Sequence, residues 1–293
     1  MNNLIDENVM ADEGSKGWSK TIKPITGWFD IRLAGLWGYR DLIMLFVRRD
    51  FVAIYKQTIL GPLWYLIQPI MMTLIFTIIF GKVAKVSTDG LPPVMFYLSG
   101  VIVWRYFSDC LQKTSNTFVA NAHMFGKVYF PRLTIPLSIV ISNLISFGLQ
   151  LGLFSGFWIY FFSAGATIQL NFYVYLLPLL ILQMAALSLG CGIIVASLTT
   201  KYRDLTHLVG FGLQVWMYAT PVVYPSSIIP EKYNWLMVMN PMVSIIEVFR
   251  YAFLGVGTIK MENVMASVLI TIATLLVGIV LFSRVEKSFM DTV

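Results

Sequence analysis

Ionisable side chains are rare inside the apolar stretches of this sequence, so the few that occur there are its first candidates for chemistry. Arg105 and Asp109 lie one helical turn apart, and Glu247 and Arg250 lie three residues apart. At these spacings opposite charges share a helix face and can neutralise each other. An ionisable group in apolar surroundings is costly, which makes each pair a candidate functional site. For Arg105 and Asp109 the alternative is a purely structural pair.

Groups that could catalyse a reaction are hard to find. The sequence has no G-x-x-x-x-G-K-[ST] phosphate-binding loop, so we do not expect the chain to hydrolyse ATP. His123 and His207 form no H-E-x-x-H or H-x-E pattern, and there is no G-x-S-x-G turn. Cys110 and Cys191 suggest neither a disulfide framework nor a metal site. We therefore predict no catalytic residue and no metal, and expect energy to be supplied from outside this chain.

The composition indicates which solvent surrounds these residues. Of the 293 residues, 57% are hydrophobic and only 12% are charged, and the mean hydropathy is +0.74. A soluble domain has about a quarter of its residues charged. Lipid must therefore cover much of the surface. The Lys and Arg residues do not form a nucleic-acid-binding stripe. We predict an all-α integral membrane protein that acts as a membrane passage and binds no nucleic acid.

Six apolar stretches are predicted to cross the bilayer, a crossing that takes about 20 helical residues. The stretch from Leu133 to Thr200 contains no charged residue and is long enough for two of them, joined by a turn near residues 163–169. The six predicted spans lie at about 60–81, 94–111, 136–162, 172–198, 205–224 and 263–283. Together they form a predicted transmembrane domain over residues 57–284.

The distribution of basic residues predicts the orientation. With the N-terminus inside, the cytoplasmic side receives most of the Lys and Arg residues, including those of the short loops after spans two and four. No cleavable signal peptide is recognisable. We therefore expect both termini in the cytoplasm, with an N-terminal extension at 1–36 and a tail at 285–293.

Two segments are predicted to be neither spans nor plain loops. Residues 37–56 have the pattern of a basic amphipathic helix, which is expected to lie in the cytoplasmic membrane interface. Whether this helix contacts a substrate or only anchors the chain stays open. Residues 224–262, which contain Glu247 and Arg250, are too charged to span and suggest re-entrant helices dipping in from the outer side.

Two further residue classes leave alternatives. Gly148, Gly152 and Gly156 form a small-residue ridge in span three, for which packing within one subunit is favoured over a dimer seam. Gly190 and Gly192 in span four are interpreted in the same way. The many Trp and Tyr residues suit interfacial belts, while the sharper hypothesis is an aromatic-lined passage for sugars.

One segment carries a family resemblance. From Arg49 to Trp64 the chain reads RDFVAIYKQTILGPLW, which resembles the R-D-x-x-x-x-Y-K-x-x-x-L-G-x-x-W signature of the polysaccharide-export permeases of ABC transporters. Pro69, the segment Lys127–Arg132 and the Asn240–Pro241 pair agree with it. The resemblance covers the chain from about residue 37 to its end.

The resemblance implies a homodimer of six-span subunits with two copies of a separate ATP-binding subunit, which holds the ATP and Mg. It implies export of undecaprenyl-diphosphate-linked polysaccharide across the bacterial inner membrane, with O-antigen favoured and lipopolysaccharide biosynthesis as its setting. The implied roles fall into four groups. Those for the lipid diphosphate are Arg48, Arg49, Tyr55, Lys56, Leu60 and Gly61. Those for coupling to the ATPase, in the loop 120–129, are His123, Phe125, Lys127 and Tyr129. Those for the outer gate are Glu247, Arg250 and Tyr251. The channel aromatics are Trp64, Tyr65, Trp104, Trp216 and Tyr224.

Three rival functions remain at this stage. Teichoic-acid export uses the same architecture, and the type of cell envelope would decide between the two polymers. A membrane-embedded transferase acting on lipid-linked sugars needs an acidic or histidine centre, which spans three to six do not offer. A proton-driven flippase needs titratable groups in mid-membrane, and only span two has deep charges.

Overall fold

The computed structural model describes residues 36–289, apart from residues 57–58, 126, 129, 203 and 258. Throughout this part the chain forms helices and turns and no β-strand. The predicted all-α class is confirmed. Most of the predicted extension at 1–36, and residues 290–293 of the predicted tail, lie outside the described residues.

The helices follow one another with short connections. In chain order they are α1 (Arg40–Lys56), α2 (Trp64–Phe76), α3 (Pro93–Ser115), α4 (Thr117–Ala120), α5 (Ala122–Phe125), α6 (Thr134–Ser163), α7 (Leu177–Thr199), α8 (Leu205–Tyr218), α9 (Asn234–Met239), α10 (Pro241–Leu254) and α11 (Met261–Phe289). Short 3-10 turns precede α2 (Gly61–Leu63) and α7 (Phe172–Leu176), and two more, Ser226–Ile228 and Glu231–Tyr233, precede α9. A π-helical stretch, Thr77–Val83, extends α2.

Helix α1 packs against α6 and carries both apolar and basic residues at its surface. Phe46 and Val47 are buried, whereas Met44 and Leu45 are exposed. The helix predicted over 37–56 is thus present, beginning three residues later. Its place in the lipid interface stays a prediction.

Helix α3 is the centre of the bundle. It packs against α2, α6, α7, α8 and α10, and most of its side chains are buried. Pro92 and Pro93 begin it, because proline suits the first turn of a helix. A helix surrounded by protein can carry Arg105 and Asp109, which lipid would not accept.

Two glycine contacts set the distance between α7 and its neighbours. A Cβ on Gly190 would lie 2.9 Å from Leu275 Cα of α11, and a Cβ on Gly192 would lie 2.6 Å from Thr114 Cβ of α3. The missing side chains let these helices approach closely, as glycines do in lipid. Close packing at Gly190 and Gly192 is therefore confirmed.

The glycine ridge of α6 behaves differently. A Cβ added at Gly148, Gly152 or Gly156 would meet no described atom within 4 Å. The expectation that this ridge packs within the subunit is therefore wrong. The reason is that α6 turns the glycines away from the helices it contacts.

Helix α8 is shorter than predicted. It ends at Tyr218, and residues 219–224 form turns, whereas the sequence predicts helix to residue 224. Pro221 explains the difference, because proline has no N–H to continue the helix and disfavours helical geometry at the preceding residue. Beyond this turn, the segment Glu231–Met239 and α10 are bent by 100° relative to each other.

Four helical segments of the described chain are long and apolar enough to cross a membrane: Gly61–Val83, Thr134–Ser163, Phe172–Thr199 and Met261–Val285. The bent pair before α11 makes a fifth if it is one broken span. Helix α3 is too polar for this criterion and α8 is too short. Helices therefore lie at all six predicted positions, but the count of six spans stays a prediction.

Candidate functional site

The predicted head-group residues lie on α1 and on the turn that follows it. Arg48, Arg49 and Lys56 are exposed at the surface of α1, and Leu60 is 39% exposed. Gly61, by contrast, is buried. Its backbone is in a left-handed conformation with φ of 45°, which glycine adopts at little cost. The side chain of Tyr55 lies outside the described residues.

Arg49 is held in place while Arg48 is not. The Arg49 guanidinium donates to Asp50 Oδ1 at 2.8 Å and 2.9 Å and lies 4.8 Å from the centre of the Phe46 ring. Arg48 forms no ion pair with another described residue. Of these two arginines, an anion approaching α1 would therefore meet Arg48 without a described ion-pair partner and Arg49 already paired with Asp50.

The side chains of the predicted coupling segment differ in exposure. His123 and Lys127 are exposed, and Tyr129 lies outside the described residues. Phe125 is only 3% exposed and packs inside the subunit, so its predicted role in coupling stays a prediction. Its ring packs on Phe118 and Phe130 at centroid distances of 5.9 Å and 5.7 Å, because α5 is too short to be stable without burying an apolar side chain.

These rings belong to a longer aromatic row. Phe46 of α1 contacts Phe130 at 5.9 Å, and Phe118 stacks on Phe282 of α11 at 4.8 Å. The row of Phe46, Phe130, Phe125, Phe118 and Phe282 thus connects α1, the coupling segment and α11. Movement of α5 is expected to reach α1 through this row, since packed rings are not freely compressible.

The predicted gate residue Arg250 is buried, and all three nitrogens of its guanidinium group donate hydrogen bonds. Its guanidinium donates to the carbonyl oxygens of Pro221 at 2.6 Å and Val222 at 2.7 Å, and to Ser99 Oγ at 3.2 Å. It also lies 3.8 Å from the centre of the Phe96 ring. Arg250 therefore fastens α10 to α3 and to the turn after α8.

The ion pair predicted between Arg250 and Glu247 is not formed within the described residues. Carbonyl groups saturate the guanidinium instead, because the turn at Pro221 leaves its carbonyls without helical partners. Glu247 lines a polar cavity of about 390 Å³ with Asp89, Glu231 and Lys260. Tyr251 packs edge-on against Tyr173 at 5.3 Å.

The predicted channel aromatics do not form one surface. Trp104 is 6% exposed and contacts Trp216 at a centroid distance of 6.2 Å. Trp216 donates to Asn240 Oδ1 at 3.1 Å. Trp64 and Tyr65 lie apart from this pair at the start of α2, and Tyr224 donates to the Tyr218 carbonyl in the turn after α8.

A polar cleft of about 300 Å³ lies between α2, α3 and α8. We use this name for the space whose polar wall is Arg105, Ser108, Asp109, Gln112 and Gln214. Its apolar wall is Met72, Val101, Trp104, Leu213 and Met217. The predicted pairing of Arg105 with Asp109 is confirmed at 3.5 Å, and Arg105 also donates to Gln68 of α2.

A family comparison decides the class of this molecule. Residues 41–254 match the ABC-2 type transporter family. The chain belongs to that family. The matched region begins in α1 and ends with α10, so this ABC-2 permease carries one more apolar helix, α11, beyond it.

Curated relatives cover most of the ABC-2 permease. It is 29% identical over 251 residues to the O-antigen export system permease protein RfbA of Klebsiella pneumoniae. The aligned region covers 86% of this chain and 94% of the relative. It is 23% identical over 237 residues to the polysialic acid transport protein KpsM of Escherichia coli, covering 80% and 89%. The inner membrane transport permease YadH of Escherichia coli K12 is 25% identical over 215 residues, covering 72% and 81%.

Membership of this family agrees with the predicted lack of catalysis. An ABC-2 permease is not itself an enzyme, and the ATPase is a separate subunit. The resemblance recognised from the segment Arg49–Trp64 is confirmed.

Sequence reasoning missed the amides of the polar cleft. Gln112 and Gln214 line the cleft from two helices, and Gln68 of a third helix bonds to Arg105, so only the fold brings them together. A usable signal was present, since each is an amide within or beside a predicted apolar span. Amides in a membrane helix need hydrogen-bond partners and are therefore worth marking.

Proposed function

We propose that this chain is the channel-forming subunit of an ATP-driven exporter that moves undecaprenyl-diphosphate-linked polysaccharide across the bacterial inner membrane. The observation that carries the proposal is the match to the ABC-2 family together with near full-length similarity to an O-antigen export permease. The O-antigen relative is more similar than the polysialic acid relative, which favours O-antigen as the polymer. Neither of these two relatives is named as a teichoic-acid exporter.

The proposed head-group site is the exposed basic side of α1. Arg48 and Lys56 are exposed on the helix that precedes the turn at Leu60 and Gly61, and neither forms an ion pair with another described residue. Guanidinium and ammonium groups form strong charge-assisted hydrogen bonds with phosphate oxygens. A lipid diphosphate lying in the inner interface would therefore dock along α1 before its polymer enters the bundle.

The proposed topology keeps six spans and both termini in the cytoplasm. Helix α3, with 23 residues, is about 34 Å long and reaches across the roughly 30 Å hydrocarbon layer. Its charges are tolerated because neighbouring helices shield them. Helix α8 with 14 residues would cross with the turn at 219–224 completing the path. Helices α9 and α10 would then be the re-entrant outer gate.

Coupling to ATP is proposed at α5 and the loop after it. His123 and Lys127 are exposed there and are available to a second protein. Two copies of this chain would assemble with two ATP-binding subunits that hold ATP and Mg. Closure of those subunits would move α5, and the aromatic row would transmit that movement to α1.

Affinity purification of the tagged chain from its own membranes tests the proposal. We expect a stoichiometric ATP-binding subunit whose ATPase rate changes when lipid-linked glycan is added, and loss of surface polysaccharide when the chain is deleted. A lone oligomer without ATPase activity, from cells with normal surface polysaccharide, would contradict it and revive the transferase and flippase hypotheses.

A further inference from the structure

The polar cleft, unlike the surroundings of Arg250, leaves its ionisable side chains partly exposed. Arg250 uses its guanidinium nitrogens in hydrogen bonds to carbonyl and hydroxyl oxygens. Arg105 donates to Gln68 and pairs with Asp109, with Nε 3.5 Å from Oδ2. The Arg105 and Asp109 side chains are 28% and 35% exposed, so both charges border open space. The cleft therefore has capacity for further hydrogen bonds.

Lipid is a poor occupant for this space. The Arg105–Asp109 pair and the amides of Gln112 and Gln214 would border hydrocarbon there, and each polar group left without a hydrogen-bond partner in hydrocarbon costs several kcal/mol. Ionisable groups in membrane helices accordingly face protein or a water-filled path. Water, or a polar ligand that replaces it, is the consistent occupant.

The chemistry of the two walls narrows the ligand class. One Arg and one Asp leave the cleft without net charge, which suits a neutral ligand better than a phosphate. Gln112, Gln214 and Asp109 offer oxygens that accept hydrogen bonds from hydroxyl groups, and the amides and Arg105 also donate. Trp104 and Met217 of the apolar wall, 6% and 7% exposed, add a small apolar surface against which the C–H face of a sugar ring can pack.

We propose that the polar cleft is a binding site for the uncharged sugar units of the polymer during passage. Its volume of about 300 Å³ lies at the lower end of small-molecule sites, which suits about one or two rings at a time. A site that binds each unit by a few hydrogen bonds holds it weakly and lets the next unit replace it. This inference rests on the proposed export function and adds the residues that contact the sugar.

Cysteine protection tests the site directly. Ser108→Cys is made in a Cys110→Ala, Cys191→Ala background and placed with the ATP-binding subunit in lipid nanodiscs with ATP. The probe is the oligosaccharide released by mild acid from the polysaccharide of the same strain. We expect a membrane-impermeant thiol reagent to label the thiol introduced by Ser108→Cys, and the oligosaccharide to slow that labelling, while inorganic phosphate does not.

Val195→Cys is the matched control. Val195 is also half-buried on a helix and lines a cavity of similar size, about 340 Å³, whose walls are apolar. Its labelling is expected to be unaffected by the oligosaccharide. Failure of the hydrophilic reagent to reach the Ser108→Cys thiol, or equal labelling with and without oligosaccharide, would overturn the proposal.

A second variant keeps the test independent of Ser108. Gln214→Leu removes an exposed cleft amide, and Val215→Leu changes its exposed neighbour outside the cleft. We expect Gln214→Leu to weaken oligosaccharide protection of the Ser108→Cys thiol by about three- to tenfold, the loss of one hydrogen bond, and Val215→Leu to leave it unchanged. Unaltered protection in Gln214→Leu would contradict the cleft site. Export and partner-dependent ATPase activity of the wild-type complex would still stand, so failure of the cleft and failure of the exporter are distinguishable.

Discussion

At the scale of single residues, Arg250 shows how one buried cation can fasten several helices at one end of the bundle. It joins α10 to the carbonyls of Pro221 and Val222 and to Ser99 of α3. Replacing it with Met would leave these carbonyls buried without a donor. Each buried acceptor that loses its donor costs about 1–3 kcal/mol.

We therefore expect Arg250→Met to lower the thermal stability of the solubilised protein markedly, measured by the loss of its monodisperse chromatographic peak on heating. Arg250→Lys is expected to recover only part of the loss, because lysine lacks the planar fork of donors. Arg40→Met, a change at an exposed arginine, serves as the control. A melting temperature for Arg250→Met equal to that of Arg40→Met would contradict the proposed role of Arg250 in joining α10 to α3.

Gly100 leaves room for the contacts between Arg250 and Val222 and gives a second prediction at this scale. A Cβ there would lie 2.7 Å from Arg250 Nη2 and 2.8 Å from the Val222 carbonyl oxygen. Alanine normally stabilises a helix interior by about 1 kcal/mol over glycine. We expect Gly100→Ala to destabilise the protein instead, in the same thermal assay. The matched change Gly152→Ala, which meets nothing within 4 Å, should be neutral or stabilising.

At the scale of elements, the aromatic row joins α1 to the predicted coupling segment by direct ring contacts. Arg49 also reaches Met124 of α5, with Nη1 3.9 Å from Sδ. A head group bound on α1 would thus lie within two side chains of the proposed ATPase contact. Substrate binding and ATP-driven movement are expected to influence each other through these contacts.

Charge reversal on α1 tests the role of this element. We expect Arg48→Glu with Arg49→Glu to abolish surface polysaccharide without preventing membrane insertion, because carboxylates repel a diphosphate. Surface labelling measures the polymer, and immunoblotting of the membrane fraction measures insertion. Arg40→Glu, on the same helix two turns earlier and equally exposed, should export normally. Normal export by the double variant would refute the head-group assignment.

At the scale of the whole molecule, one copy does not enclose a passage that its described residues reveal. The polar cleft opens on the side of α2, α3 and α8, and a Cβ added along the glycine ridge of α6 would meet no described atom within 4 Å. A second copy facing the cleft would close a path lined by both sets of polar side chains. We expect native mass spectrometry of the nanodisc complex to give two copies of this chain and two ATP-binding subunits. A complex with a single copy of this chain would contradict the shared path.

The membrane character, the all-helical class and the family were determined by the sequence alone, for physical reasons. Low charge content and long apolar runs permit only helices in lipid, where every backbone group must be bonded within its own segment. The segment from Arg49 to Trp64 carries the family pattern locally, so no tertiary information is needed to recognise it. The pairing of Arg105 with Asp109 was equally predictable, since it depends only on helical spacing.

Only the tertiary structure decided the partners of Arg250, the inward position of Phe125 and the joining of Gln112 with Gln214. Glu247 was the expected partner of Arg250 because it is close in sequence. The carbonyl oxygens of Pro221 and Val222 accept hydrogen bonds from Arg250 instead, because α8 ends nearby and leaves several carbonyl groups without helical partners. Contacts between residues far apart in the chain depend on which helix faces meet. Spacing along one helix does not contain that information.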